Sequence, residues 1–190
     1  METYSHAFFT WALSKHGVKA GRAAGIAAAA GAVFPDLPSF AGTAYYVGTA
    51  YLREGWDSMH SEELLEAIYF SGPFGGTGSV LHSAVPVAAL VVLYRVIGLA
   101  RRDRRRILLW FLLGWLGHTI ADFLTHVDDT RPLLWPISDR EWSSPVSYYN
   151  PLYYGREFFA VSHGLMLLVV SWLLLKRVVS RGKAPKVPPG

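Results

Sequence analysis

The chain has 190 residues, enough for one domain, of which 52% are hydrophobic and 17% charged. That balance is too apolar for an ordinary small enzyme and too ordered for a disordered tail. Cysteine is absent, which excludes a disulfide framework, a CxxC redox site, a thiolate zinc site and an iron–sulfur cluster. Any metal must be held by His, Asp or Glu. The net charge of +4 hints at nucleic acid, but the placement of the charges argues for a membrane.

Tyr4 to Lys15 reads as a short amphipathic helix ending near His16-Gly17. It is too short to span a bilayer, which takes about 20 apolar residues. Folded back at Gly17, it would lift His6 by about 15 Å; lying flat, it would not. Val18 to Phe34 follows, dense in Ala and Gly, a composition suited to a spanning helix packed tightly on other helices. A cleaved signal peptide is the competing reading, disfavoured by a long charged lead and by Phe34-Pro35-Asp36 where small residues belong.

Leu37 to Gly78 is expected outside the membrane. It contains an amphipathic helix with a capping-type start at Ser61 and an apolar stripe at Leu64, Leu65 and Ile68. Ser71 to Gly78 reads as a flexible turn; it lacks the Lys of a P-loop. Two further spans run from about Ser79 to Leu99 and from about Ile107 to Val127. Asp128 to Glu157 is a second outer segment, rich in Trp, Tyr and Pro, as interfacial belts are. Phe158 to Leu175 is the fourth span. The fold class is therefore all-α: an integral membrane bundle of about four transmembrane helices, with a short N-terminal and an amphipathic outer helix. Residues 1–180 form one membrane domain, and 181–190 a flexible basic, Pro-containing tail.

Most basic residues fall in three groups: Lys15, Lys19 and Arg22; Arg101 to Arg106; and Lys176, Arg177, Arg181, Lys183 and Lys186. The positive-inside rule places these groups, and both termini, in the cytoplasm. The opposite side then receives every acidic residue except Glu2 and Asp103. The Arg run is accordingly a topology signal, and no nucleic-acid partner is expected.

Ionisable residues inside spans are costly and face functional interiors. His118, Asp122 and His126 stand at i, i+4 and i+8, within an arc of about 80° on one helix face. The topology brings His82 and Asp36 to the same depth, and His163 near it. The expected metal ligands are His6, Asp36, His82, His118 and Asp122, with His126 and Asp122 as catalytic groups. The bland alternative is a hydrogen-bonded pair gluing helices together. His16 and His60 read as solvent residues.

The run Gly114-Trp115-Leu116-Gly117-His118-Thr119-Ile120-Ala121-Asp122-Phe123-Leu124-Thr125-His126, followed by Leu134-Trp135-Pro136, resembles the membrane-bound predicted metal-dependent hydrolases of the inner-membrane, LexA-regulated type. His6, Pro35-Asp36 and His82-Ser83 match that family's other motifs in order and spacing. Pro38-Ser39 and Gly76 to Ser79 stand where many members have further Asp or His groups, which implies one metal rather than two.

The resemblance implies a divalent metal at this cluster. His and carboxylate ligands without thiolate suit zinc first, with manganese or iron as alternatives. The expected function is a metal-dependent hydrolase in the inner membrane. Its substrate would be a lipid-borne or amphipathic ester on the outer side, first a phosphoester, by distant similarity to zinc-dependent phospholipases C. The alternative is a non-catalytic subunit with a structural metal or polar core, docking protein partners through its outer aromatic loops.

Overall fold

The computed structural model describes residues 1–55 and 62–182. His60, Ser61 and residues 183–190 of the tail lie outside the described residues. Every regular element among those described is helical.

Helix α1, Thr3–Ala12, runs into a π-helical turn, Leu13–Gly17, and reverses onto α2, Arg22–Val33. The reversal suits the sequence: Gly21 adopts φ 96°, open to glycine without strain, and enters α2. Ala24, Gly25, Ala27, Ala28, Gly31 and Ala32 of α2 are buried. This small-residue face meets α8, Ile107–Phe123, which buries Leu109, Leu112, Gly114, Trp115, His118, Thr119 and Asp122. The approach is close enough that a Cβ on Gly31 would run into the Phe111 carbonyl, and one on Gly114 into that of Ala28.

The first span differs from expectation. Its helix does not stop at Pro35. A 3-10 turn, Phe34–Asp36, carries the chain into α3, Leu37–Glu54, giving a continuous apolar segment Arg22–Arg53 of 32 residues. Pro35 and Pro38 each sit in the first turn of a new element, where a missing N–H costs little. Leu37 to Gly78 is thus not a loop with one helix in it. After α3 come α4, Glu62–Tyr69, and α5, Gly72–Leu81. The expected flexible turn at Ser71 to Gly78 is helical. Packing overrides the poor helix propensity of its glycines: Gly75 and Gly78 are buried, and a Cβ on Gly75 would meet the Phe70 backbone nitrogen at 2.5 Å.

The span expected from Ser79 to Leu99 is broken at His82-Ser83. Helix α6, Ala84–Val96, bends away from α5 by 58°. Ser83 caps α6 by accepting from Val85 N at 3.3 Å. Its hydroxyl proton is shared between the carbonyls of Leu133 (2.9 Å) and Trp135 (2.6 Å), which ties the Leu134-Trp135-Pro136 segment to the break. Ser83→Ala is expected to lower stability by about 1–2 kcal/mol through the lost cap and anchor, read as a lower melting temperature in detergent.

A short α7, Leu99–Arg102, leads to Asp103, whose carboxylate accepts from the Ile107 (2.8 Å) and Leu108 (2.9 Å) amides and so caps α8. Val87, Tyr94, Leu109, Leu112 and Trp115 form the apolar core between α6 and α8. Helix α8 ends at Phe123, short of the expected Val127; the following segment packs back over its end through Ser144 N to His126 O (2.9 Å) and Tyr148 N to Thr125 O (3.0 Å).

The last helix, α9, runs Gly155–Gly182, with the stretch Gly155–Ser180 long and apolar enough to cross a membrane and 6% buried. Its exposed Leu165, Leu167, Leu168, Leu174 and Leu175 are side chains that hydrocarbon would solvate. By length and composition two helices can cross a membrane, Arg22–Arg53 and Gly155–Ser180, and a third if α5 and α6 make one broken span. Helix α8, expected to span, is a shorter apolar helix of 17 residues that sits against α2 and α6.

Candidate metal centre

Three elements converge on one point. The 3-10 turn after α2 supplies Asp36, the α5–α6 break supplies His82, and α8 supplies His118 and Asp122 one turn apart. One ligand atom from each lies within 4.8 Å of the others. His82, His118 and Asp122 are buried and Asp36 partly so.

The histidine tautomers follow from their partners. His82 Nδ1 lies 2.7 Å from the Gly78 carbonyl, and His118 Nδ1 lies 2.7 Å from that of Ala32. A carbonyl only accepts, so both Nδ1 atoms carry the proton. Their Nε2 atoms then face one another at 3.1 Å. Asp122 Oδ2 lies 2.9 Å from His118 Nε2 and 3.4 Å from His82 Nε2, and Asp36 Oδ1 lies 3.3 Å from His82 Nε2. Four electron-pair donors share one small space. Two imidazoles and two carboxylates, with each imidazole Nδ1–H fixed by a backbone carbonyl, match the donor types that transition-metal sites use. The group could hold a metal ion.

His6, expected among the ligands, stands outside this group of four. The hairpin at Gly17 does bring it to the site, where Nε2 lies 2.8 Å from Asp122 Oδ1 and its ring stacks on His118 at 4.0 Å. The Met1 amino group donates to the same Oδ1 at 2.8 Å. Asp122 therefore turns one oxygen to α1 and the other to the imidazoles.

His126 lies just beyond α8. Its Nδ1–H donates to the Asp122 carbonyl at 2.9 Å, and Nε2 faces Asp129 Oδ2 at 3.4 Å. His163 is not in the cluster; it is half-buried, bonded to the Tyr4 hydroxyl at 2.8 Å and stacked on Phe159. His16 packs between Trp11 and Trp172, rather than standing in solvent.

Sequence reading missed several neighbours. Thr3 donates to Asp36 Oδ2. Asp129, Arg131 and Tyr148 line a cavity of about 430 Å³ that opens from the four-residue group. Burial raises the Tyr148 phenol above its ordinary pKa, with the Asp129 and Asp122 charges adding to the effect. Burial pulls the Arg131 guanidinium down, against the carboxylates of Asp122, Asp36 and Asp129. His126-Val127-Asp128-Asp129 was the readable signal for Asp129, three residues from a flagged histidine. Arg131 was readable only as an isolated base beside two acids.

Apolar helices long enough to cross a bilayer, carrying a buried His/Asp group that could hold a metal, define a membrane protein with a polar centre. The chain belongs to the YdjM inner membrane protein family, whose model matches residues 1–183. No curated protein and no solved structure matches it.

Proposed function

We propose that this protein is a membrane-embedded, metal-dependent hydrolase acting on a phosphoester carried by a lipid or other amphipath. The observation that carries this reading is the pair of His82 and His118 Nε2 atoms, facing each other at 3.1 Å beside two carboxylates. Each imidazole gives its Nδ1–H to a backbone carbonyl, which leaves both Nε2 atoms directed at the carboxylates, where one cation could be shared by all four groups. Asp36, His82, His118 and Asp122 are the ligands, and zinc suits the set first, with manganese or iron as alternatives.

A divalent ion there supplies polarisation of a phosphoryl oxygen and activation of water near neutral pH. The chain's own groups do the rest. His6 fixes the Asp122 carboxylate from behind, a positioning part rather than the ligand role the sequence suggested. His126 is the general base: its Nδ1–H is committed to a carbonyl, so Nε2 offers the free lone pair, and Asp129 stabilises the imidazolium that forms. The cavity admits substrate to that point.

The basic residues support an inner-membrane orientation with both termini cytoplasmic. Arg22 and Arg104 to Arg106 line one cavity between the starts of α2 and α8, while the His/Asp group sits toward the other ends of those helices. With the basic ends cytoplasmic, this arrangement supports a centre facing the outer side. Residues 1–180 act as one membrane domain with a short tail.

A second reading is a non-catalytic subunit whose metal is structural. It draws on the exposed Leu134, Trp135, Ile137 and Trp142 in the segment after α8, a surface suited to a protein partner.

Metal analysis of the detergent-purified protein separates these from the glue alternative. We expect about one equivalent of transition metal, as for a site with a complete ligand set. Phosphate release from a lysophosphatidate micelle should disappear on chelation and return with zinc. Metal without turnover favours the subunit reading. Well-folded protein without metal removes both metal readings.

A further inference from the structure

We propose that Arg131 forms a subsite for the phosphoryl group of an amphipathic substrate, beside the metal centre. The inference rests on the reading of that centre given above and names what its substrate must carry.

Arg131 is held in place without being neutralised. One guanidinium nitrogen donates to the Tyr69 carbonyl at 2.8 Å, and the group lies 5.5 Å over the Phe70 ring. Its Nε is buried and has no hydrogen-bond partner among the described residues. No carboxylate there comes within ion-pairing distance of it. Asp36 and Asp122 face the imidazoles, and Asp129 turns Oδ2 to His126 while its Oδ1 is buried without a hydrogen-bond partner among the described residues. A divalent ion would balance the two ligand carboxylates, and Arg131 keeps a buried Nε–H that no acceptor among the described residues takes.

A buried charge without a counter-ion is expensive and is kept where a ligand brings one. Arg is the side chain suited to phosphate, because its planar fork presents parallel N–H donors. The location fits. Arg131 shares its cavity of about 430 Å³ with Asp36, His82 and Asp122. Phe40 and Leu65, both exposed apolar side chains, line it too. An anionic head beside Arg131 and the metal, with an alkyl chain along Phe40 and Leu65, satisfies both parts of the lining.

The test uses the zinc-loaded full chain in detergent, with inorganic phosphate and a short-chain lysophosphatidate as probes and binding measured by titration calorimetry. The wild type is expected to bind both, the lysophosphatidate more tightly. Arg131→Gln should weaken both by at least about tenfold, roughly 1.4 kcal/mol, while keeping its metal and its melting temperature. Arg131→Lys, which keeps the charge and loses the fork, should fall between. Phosphate binding unchanged in Arg131→Gln overturns the proposal, as does a wild type that binds neither probe. Equal affinity for the two probes overturns the alkyl part and leaves a site for free phosphate. If the wild type holds no metal, the hydrolase reading falls. Arg131 is then judged by the same phosphate comparison in the metal-free protein.

Discussion

Asp122→Ala is expected to lose its metal altogether and to loosen the N-terminal helix in the same step. Both effects come from one carboxylate. Oδ2 faces the imidazoles of His118 and His82, and Oδ1 takes His6 and the Met1 amine. Removing a partner from behind a ligand typically costs 10–100-fold in metal affinity; removing the ligand should cost at least about 100-fold. Breaking a buried charged contact costs about 3 kcal/mol or more, and here α1 loses its tie to α8. Asp122→Asn separates the two effects. It keeps the shape and one acceptor oxygen, so α1 should stay docked while metal affinity falls. Metal content after dialysis reports the first effect, and proteolysis at the Leu13–Gly17 turn the second. An alanine variant that retains a full equivalent of metal would remove Asp122 from the ligand set.

Gly31→Leu and Gly114→Val are expected to be the most destabilising single changes outside the cluster. Each places atoms against a backbone carbonyl of the facing helix, Phe111 for Gly31 and Ala28 for Gly114. A side chain can swing aside, but a helix backbone cannot, so the helices must separate. Overpacking costs about 1–3 kcal/mol when side chains give way; between backbones the cost should reach the top of that range or exceed it. The separation also reaches the site, since Ala32 O fixes the His118 tautomer from across the same interface. Metal binding should therefore fall along with the melting temperature. Gly117→Ala is the control: nothing lies within 4 Å of its Cβ position, so it should be neutral, or gain up to about 1 kcal/mol from helix propensity. Should Gly114→Val melt like the control, the tight interface is not what joins α2 to α8.

The cluster was legible because its logic is periodic and electrostatic. His118 and Asp122 share a helix face by spacing alone, and an ionisable group in an apolar run announces itself. Asp36 and His82 followed once the basic runs had oriented the helices. The span count was less legible. Pro35 and Pro38 look like the end of a helix, yet each falls where a new turn begins, so the chain continues as α3. The glycines of Ser71 to Gly78 look like a loop until Phe70 and Pro38 are packed against them, a tertiary fact without local signature. Asp129, Arg131 and Tyr148 lie in an irregular segment, where no period links a residue to a face. The role of His6 depended on whether the hairpin closed, and then on which oxygen of Asp122 it met.

The unbroken run from Arg22 to Arg53 also sets a depth. A helix rises about 1.5 Å per residue, so Asp36 stands roughly 21 Å along it. Against a hydrocarbon layer of about 30 Å, a span that starts near Arg22 carries Asp36 some two-thirds of the way across, still below the headgroups. The remaining turns of α3 pack on α4 and α5. Hydrolysis at that level would take place beneath the waterline: the amphipath could keep its tail in the leaflet, and water would be the reactant that travels.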